Sequence, residues 1–151
     1  MIYYLGLGSN MGDRQANIGQ AVELLNTVGT VQKISSLYET EPVGMVPGTP
    51  KFINLALSFE SELPPPLLLK ETKNIESHLG RDITDSHYKS RPMDIDILLA
   101  GEEIINTERL TVPHKEMHKR GFVLTPLNEI APEAVHPVFH KTVKELLKDI
   151  S

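Results

Sequence analysis

Asp94 and Asp96 lie two residues apart in the run Ser90-Arg91-Pro92-Met93-Asp94-Ile95-Asp96-Ile97-Leu98-Leu99. On a pleated strand they point to one face, with Cα atoms roughly 7 Å apart. Met93, Ile95, Ile97 and Leu99 then point to the other face, where a core can cover them. Two carboxylates this close repel each other, and a nearby cation or a shared proton relieves the repulsion. Hard oxygen ligands suit Mg²⁺, which usually keeps coordination sites for water and substrate phosphates. Arg91 adds a planar cation able to fork onto phosphate oxygens. The pattern points to a magnesium–nucleotide site. The alternative is a solvated strand face with two surface aspartates.

Further donors follow. In extended structure Arg109 and Thr111 share a face. His114 comes just after Pro113, and Arg120 is close behind, making a cluster of four donors suited to phosphate. A mixed-charge surface ladder is the alternative. His114 and His118 are four apart, as on a zinc-binding helix, but Glu116 is misplaced for a metalloprotease motif. His136 and His140 share that spacing, but Pro137 breaks a helix there. Zinc is therefore the lesser reading. Asn54 stands in an otherwise apolar strand, where an amide needs partners and can read a heterocycle's donor–acceptor edge. With no Trp and 5% aromatic residues, Phe52, Tyr88 and Phe122 are candidates to stack on such a ring, or else to pack in a core. In Gly6-Leu7-Gly8-Ser9-Asn10-Met11-Gly12 the third glycine comes one residue too late for a dinucleotide fingerprint. That segment reads as a strand-to-helix turn. No Walker-type Gly-Lys-Ser/Thr loop exists, so side chains and strand backbone must hold any nucleotide.

These residues need elements to position them. Ile2 to Gly8 is a strand ending in a turn signal at Gly8-Ser9-Asn10. Ile18, Ala21, Val22, Leu24 and Leu25 recur at helical spacing, with Gly29 as a stop. Thr30 to Tyr38 and Phe52 to Phe59 read as strands, separated by a Pro/Gly-rich loop, Glu41 to Pro50. Pro64 to Pro66 open a helix carrying Leu67, Leu68, Leu69, Thr72, Ile75 and Leu79, closed by Gly80. Arg81 to Ser90 is a polar loop before the aspartate strand. Gly101-Glu102 suggests a hairpin turn into Glu103-Ile104-Ile105, Pro113 opens a short helix through Lys119, and Val143 to Ile150 is a terminal helix. The order β-α-β-β-α-β predicts an α+β sandwich with both helices on one face of an antiparallel sheet. The opposite face would hold Asp94 and Asp96, flanked by long loops.

Composition sets the bounds. A chain of 151 residues, 40% hydrophobic and 23% charged, fits one folded domain over 1–151. The net charge of −5 argues against a wide nucleic-acid footprint. Without Cys there are no disulfides or thiolate metal sites. No signal peptide or membrane span is apparent, which makes the cytoplasm the expected compartment. No long apolar helix face is left over, which favours a monomer.

From end to end the chain resembles the 6-hydroxymethyl-7,8-dihydropterin pyrophosphokinase family of folate biosynthesis. The matching segments are Gly8-Ser9-Asn10, Tyr38-Glu39-Thr40-Glu41-Pro42-Val43-Gly44, Phe52-Ile53-Asn54, Glu76 with Gly80-Arg81, and Arg91 to Leu98. Asn106 to His114 and Arg120 to Leu124 complete them. The resemblance implies a ferredoxin-like fold with mobile loops. It also implies diphosphoryl transfer from ATP to the pterin's hydroxymethyl oxygen, releasing AMP, with two Mg²⁺ ions on Asp94 and Asp96. By position Glu76, Arg81, Arg91, Ile97, Arg109, Thr111, His114 and Arg120 correspond to ATP contacts. The resemblance implies that Arg81, Arg91, Asp94 and Asp96 carry the catalysis. Thr40, Val43, Phe52, Asn54 and Phe122 correspond to the pterin pocket. Ile83, Tyr88 and Lys89 depart from residues common in the family, so closure of the Arg81 to Ser90 loop is expected to differ. Two other classes remain open: a non-catalytic ferredoxin-like binding module, and a different Mg²⁺-dependent nucleotidyl or phosphoryl transferase. The acidic charge argues against RNA as the module's ligand, and Asn54 with its two Phe neighbours favours a pterin acceptor.

Overall fold

Period-two alternation and capped amphipathic segments account for most of the elements in the computed structural model, which describes residues 1–40, 51–80 and 93–151. In chain order these are β1 (Ile2–Ser9), α1 (Arg14–Leu25), β2 (Thr30–Ile34), β3 (Tyr38–Thr40), β4 (Phe52–Glu60), α2 (Pro65–His78) and β5 (Asp94–Ala100). Then come β6 (Ile105–Asn106), β7 (Thr111–Val112), a 3₁₀ turn at Met117–Lys119, α3 (Gly121–Ile130), β8 (Val135–His136), β9 (Lys141–Thr142) and α4 (Val143–Asp149). The main sheet runs β2-β4-β1-β5, every pair antiparallel, with β3 also on β4. This is the expected ferredoxin-like arrangement.

The two faces follow from the alternation. Tyr3, Leu5 and Leu7 of β1, with Ile53, Leu55, Leu57 and Phe59 of β4, pack against Ile18, Ala21 and Leu25 of α1 and Leu68 and Ile75 of α2. Asp13 caps α1 by accepting the Ala16 N–H, and Pro65 opens α2 where a missing N–H costs nothing. The opposite face is not left free of helices. Ala56, Leu98 and Leu99 form a second core there with Val123, Leu124 and Leu127 of α3 and Val143 and Leu146 of α4. The helix over 121–130 is an addition to those expected from the sequence. Pro126 stands inside it and forfeits one backbone hydrogen bond, but burial of its apolar neighbours outweighs that loss.

Other expectations need correction. Leu99 joins the α3 side rather than the side of Met93, Ile95 and Ile97. The β1–β5 register jumps from Leu5↔Ile97 to Tyr4↔Leu99, so Leu98 is an extra residue and the alternation flips after it. Thr30 to Tyr38 is not one strand, because Ser35 interrupts it and its Oγ takes the Ala56 N–H. The turn at Gly101-Glu102 does not return a strand to β5; Ile105 and Asn106 pair instead with Thr111 and Val112. Between Pro113 and Lys119 only the 3₁₀ turn forms. Gly29 does not stop α1, which ends at Leu25. A Cβ on Gly29 would stand 2.3 Å from Phe59 Cζ, so close packing explains that glycine.

Candidate active site

β1, β4 and β5 present one row of residues to the α3 side. Asn54 on β4 faces Gly8 on β1, and Gly8 faces Asp94 on β5. One step along the strands, Asp96 stands opposite Gly6. Asp94 and Asp96 share this face, as the spacing predicts. Burial of the Asp96 carboxyl, then Asp94, then Glu76, pushes its pKa up to about 7. Lys73 and Arg120 oppose that rise. A carboxylate pair held at this electrostatic cost suits a hard divalent cation. Among the described residues no group of three His, Cys, Asp or Glu side chains is gathered for a metal.

His114 Nε2 lies 4.0 Å from Asp96 Oδ1. Its Nδ1 accepts the Glu116 N–H, which leaves the proton of the neutral ring on Nε2, facing the aspartate. Burial and then Arg120 lower the His114 pKa. The His114 backbone N–H bonds Leu98 O, tying this segment to β5. The Arg120 guanidinium lies 5.5 Å from the centre of the Phe122 ring, and Phe122 is 40% exposed. Asn54 is buried and donates from Nδ2 to Thr40 Oγ1 at 2.7 Å. Phe52 is half-buried on the same face of β4. Among the described residues Phe52 and Phe122 do not stack on each other.

Glu76 and Ile97 sit elsewhere. Glu76 is 1% exposed on α2, and its Oε2 accepts the Ile95 N–H at 2.7 Å from the helix-covered side of β5. The Ile97 side chain lies in the α1–α2 core. His114 and Arg120 act on Asp96, whereas Arg109 stands exposed at the β6–β7 tip rather than in an extended strand, with Thr111 half-buried at the start of β7. Arg109 helps to line a cavity of about 930 Å³ between that hairpin and α2, together with Leu69, Lys70, Lys73, Asn74 and Leu110. Sequence reasoning missed the α2 contribution. Its signal was the spacing 69, 70, 73, 74, one helix face carrying two lysines. Lys73 joins cavity and site, since its Nζ lies 3.5 Å from Glu76 Oε1 and its charge reaches Asp96. Arg81, Arg91 and Val43 lie outside the described residues, as do Ile83, Tyr88 and Lys89.

The sequence profile described as 7,8-dihydro-6-hydroxymethylpterin-pyrophosphokinase (HPPK) matches residues 4–132. The chain belongs to the HPPK family. It is similar to the 2-amino-4-hydroxy-6-hydroxymethyldihydropteridine pyrophosphokinase of Bacillus subtilis, with 46% identity over 134 residues, covering 87% of this chain and 79% of the relative. The Aquifex aeolicus protein of the same name is 41% identical over 142 residues, covering 94% and 88%. A solved Plasmodium falciparum HPPK-DHPS structure matches 98% of this chain with a TM-score of 0.77 at 18% identity, which supports the HPPK fold. The chain spans 43% of that longer protein. HPPK membership makes the chemistry a transfer of pyrophosphate from ATP to hydroxymethyldihydropterin, a step of folate biosynthesis. Among the described residues no helix is long and apolar enough to cross a membrane.

Proposed function

We propose that residues 1–151 act as a single, cytoplasmic, monomeric pyrophosphokinase domain that runs this transfer with two Mg²⁺ ions held by Asp94 and Asp96. The observation that supports this reading is the row Asn54–Gly8–Asp94, in which an amide suited to a heterocycle stands two strands across the sheet from a carboxylate pair suited to Mg²⁺. When bound, the ions would neutralise phosphate charge and polarise the reacting oxygens.

The remaining work falls to the chain's own side chains. Asn54 reads the pterin edge, Thr40 orients Asn54, and Phe52 and Phe122 flank the ring, with Val43 assigned to the same pocket by its place in the sequence. Arg120 offers its cation to the phosphates from its place over the Phe122 ring. His114 holds its Nε2 proton toward the Asp96 side of the site. Lys73 and Arg109 favour a nucleotide in the α2–hairpin cavity, with Thr111 beside it on β7. Glu76 supports the site through the Ile95 backbone, and Ile97 anchors the same strand in the core. Arg81 and Arg91 are assigned to the phosphates by their places in the sequence. Phosphoryl transfer depends on such positioning and charge compensation more than on covalent chemistry.

One assay tests the reading. The protein is supplied with ATP, Mg²⁺ and the reduced hydroxymethylpterin, and nucleotide products are separated. AMP with the pterin diphosphate is expected. ADP would mean a kinase, and no nucleotide product would mean a binding module.

A further inference from the structure

We propose that Gly8 is a positioning residue for the acceptor substrate: by carrying no side chain it lets the Asn54 amide keep its reading orientation. This rests on the reaction proposed above and adds a residue to it. Gly8 stands in the middle of the row, opposite Asn54 on one side and Asp94 on the other. Two strand spacings separate those outer residues, about 10 Å.

Nothing in the backbone demands glycine at this point. Among the described glycines the positive φ values belong to Gly12, Gly80 and Gly101, and Gly8 is a regular strand residue. Glycine inside a strand forgoes packing and loses more entropy on folding than alanine. Space supplies the reason. A Cβ on Gly8 would stand 2.9 Å from Asn54 Oδ1 and 3.7 Å from Phe52 Cδ1. The first contact is well inside the roughly 3.5–4.0 Å of favourable non-bonded approach. Asn54 is not free to withdraw, because its Nδ2 is bonded to Thr40 Oγ1 and Thr40 is fixed on β3 opposite Phe52. The amide is thus set from two sides, by a hydrogen bond at Nδ2 and by bare backbone beneath Oδ1.

Gly6 is the internal control. It lies two residues away on the same face, but a Cβ there would meet only the flexible Leu98 side chain, at 3.4 Å.

The test is calorimetric titration of the reduced hydroxymethylpterin into full-length protein saturated with Mg²⁺ and a non-hydrolysable ATP analogue. Gly8→Ala should weaken pterin binding about tenfold or more, the scale of one lost buried hydrogen bond, while nucleotide affinity stays within about twofold. Gly6→Ala should keep pterin affinity within about twofold. Because Gly8 acts through Asn54, adding Gly8→Ala to Asn54→Ala should cost less than about twofold more. The proposal is overturned if Gly8→Ala leaves pterin affinity unchanged, if it weakens nucleotide equally, or if it costs as much beside Asn54→Ala as alone. Should Gly8→Ala fold poorly, the comparison of Asn54→Ala with Gly8→Ala/Asn54→Ala still decides, because that pair lacks the clash. A parent protein that neither binds the pterin nor releases AMP overturns the reaction itself, a result distinct from a parent and a Gly8→Ala variant that bind alike.

Discussion

The Glu76 carboxylate accepts the backbone N–H of Ile95, the residue between Asp94 and Asp96, at 2.7 Å. An acid on α2 therefore grips the aspartate strand from its covered side. Removing that acceptor leaves a buried N–H without a partner. Glu76→Ala should destabilise the fold by about 1–3 kcal/mol, whereas Glu76→Gln, which keeps an acceptor oxygen, should lose less. Urea unfolding of the two variants measures the difference. Equal losses would show that the charge of Glu76, not its hydrogen bond, is what matters.

Asp96 titrates at about 7, above the ordinary aspartate value of 3.8. Between those values the folded protein binds more protons than the unfolded chain, so stability falls as pH rises. The contribution is full below pH 3.8 and is lost as pH passes about 7. The side chain is 38% exposed, so solvent screening discounts the effect to about 1 kcal/mol. Without metal, Asp96→Asn should be more stable than the parent at pH 8 and show a flatter pH profile. Mg²⁺ should stabilise the parent at pH 8 and leave Asp96→Asn nearly unmoved. Thermal melts at pH 5 and pH 8, with and without Mg²⁺, read all of these outcomes. Turnover should be lost in Asp96→Asn and in Asp94→Ala.

Arg120 couples two halves of the site, since it faces Asp96 electrostatically and packs over Phe122. Arg120→Ala should weaken both nucleotide and pterin, each by about tenfold. Arg120→Lys should recover more nucleotide affinity than pterin affinity, because an ammonium keeps the charge but not the planar stacking face. Parallel titrations with each ligand test that split.

His136 is buried under Phe139, and its Nδ1 accepts the Val138 and Phe139 N–H groups. Burial first, and then His118, hold its pKa below the usual 6.5. The folded state therefore binds fewer protons below that value, and the contribution is lost as pH falls through the lowered pKa. His136→Asn keeps an acceptor near the Nδ1 position and removes the titration. Its stability should vary less than the parent's between pH 7 and pH 5, as denaturant midpoints would show, although lost stacking on Phe139 should lower it by about 0.5–1.5 kcal/mol throughout.

Much of this was legible from residue order. Apolar alternation and caps located β1, β4, β5 and α2, and the i, i+2 spacing of Asp94 and Asp96 placed both on one face. What the sequence concealed depends on long-range packing. A proline hid α3, because local propensity carries no record of the sheet that Val123, Leu124 and Leu127 cover. The extra residue at Leu98 reversed the alternation and moved Leu99 to the other core. Arg109 lies at a hairpin tip rather than in an extended strand, a position set by pairing between Ile105 and Val112. Nothing in the spacing of Glu76 reveals its bond to the Ile95 N–H.

The interruption at Ser35 bears on how molecules of this protein meet one another. β2 and β3 lie on the outer side of β4, where an unbroken strand would offer a neighbouring molecule a continuous line of unpaired backbone groups. The line is divided twice. The β2–β4 register shifts between Val31 and Lys33, and at Ser35 the hydroxyl, not the backbone, takes the Ala56 N–H. An intruding strand finds no straight template there, and crowding in a concentrated solution has less purchase on this border of the sheet.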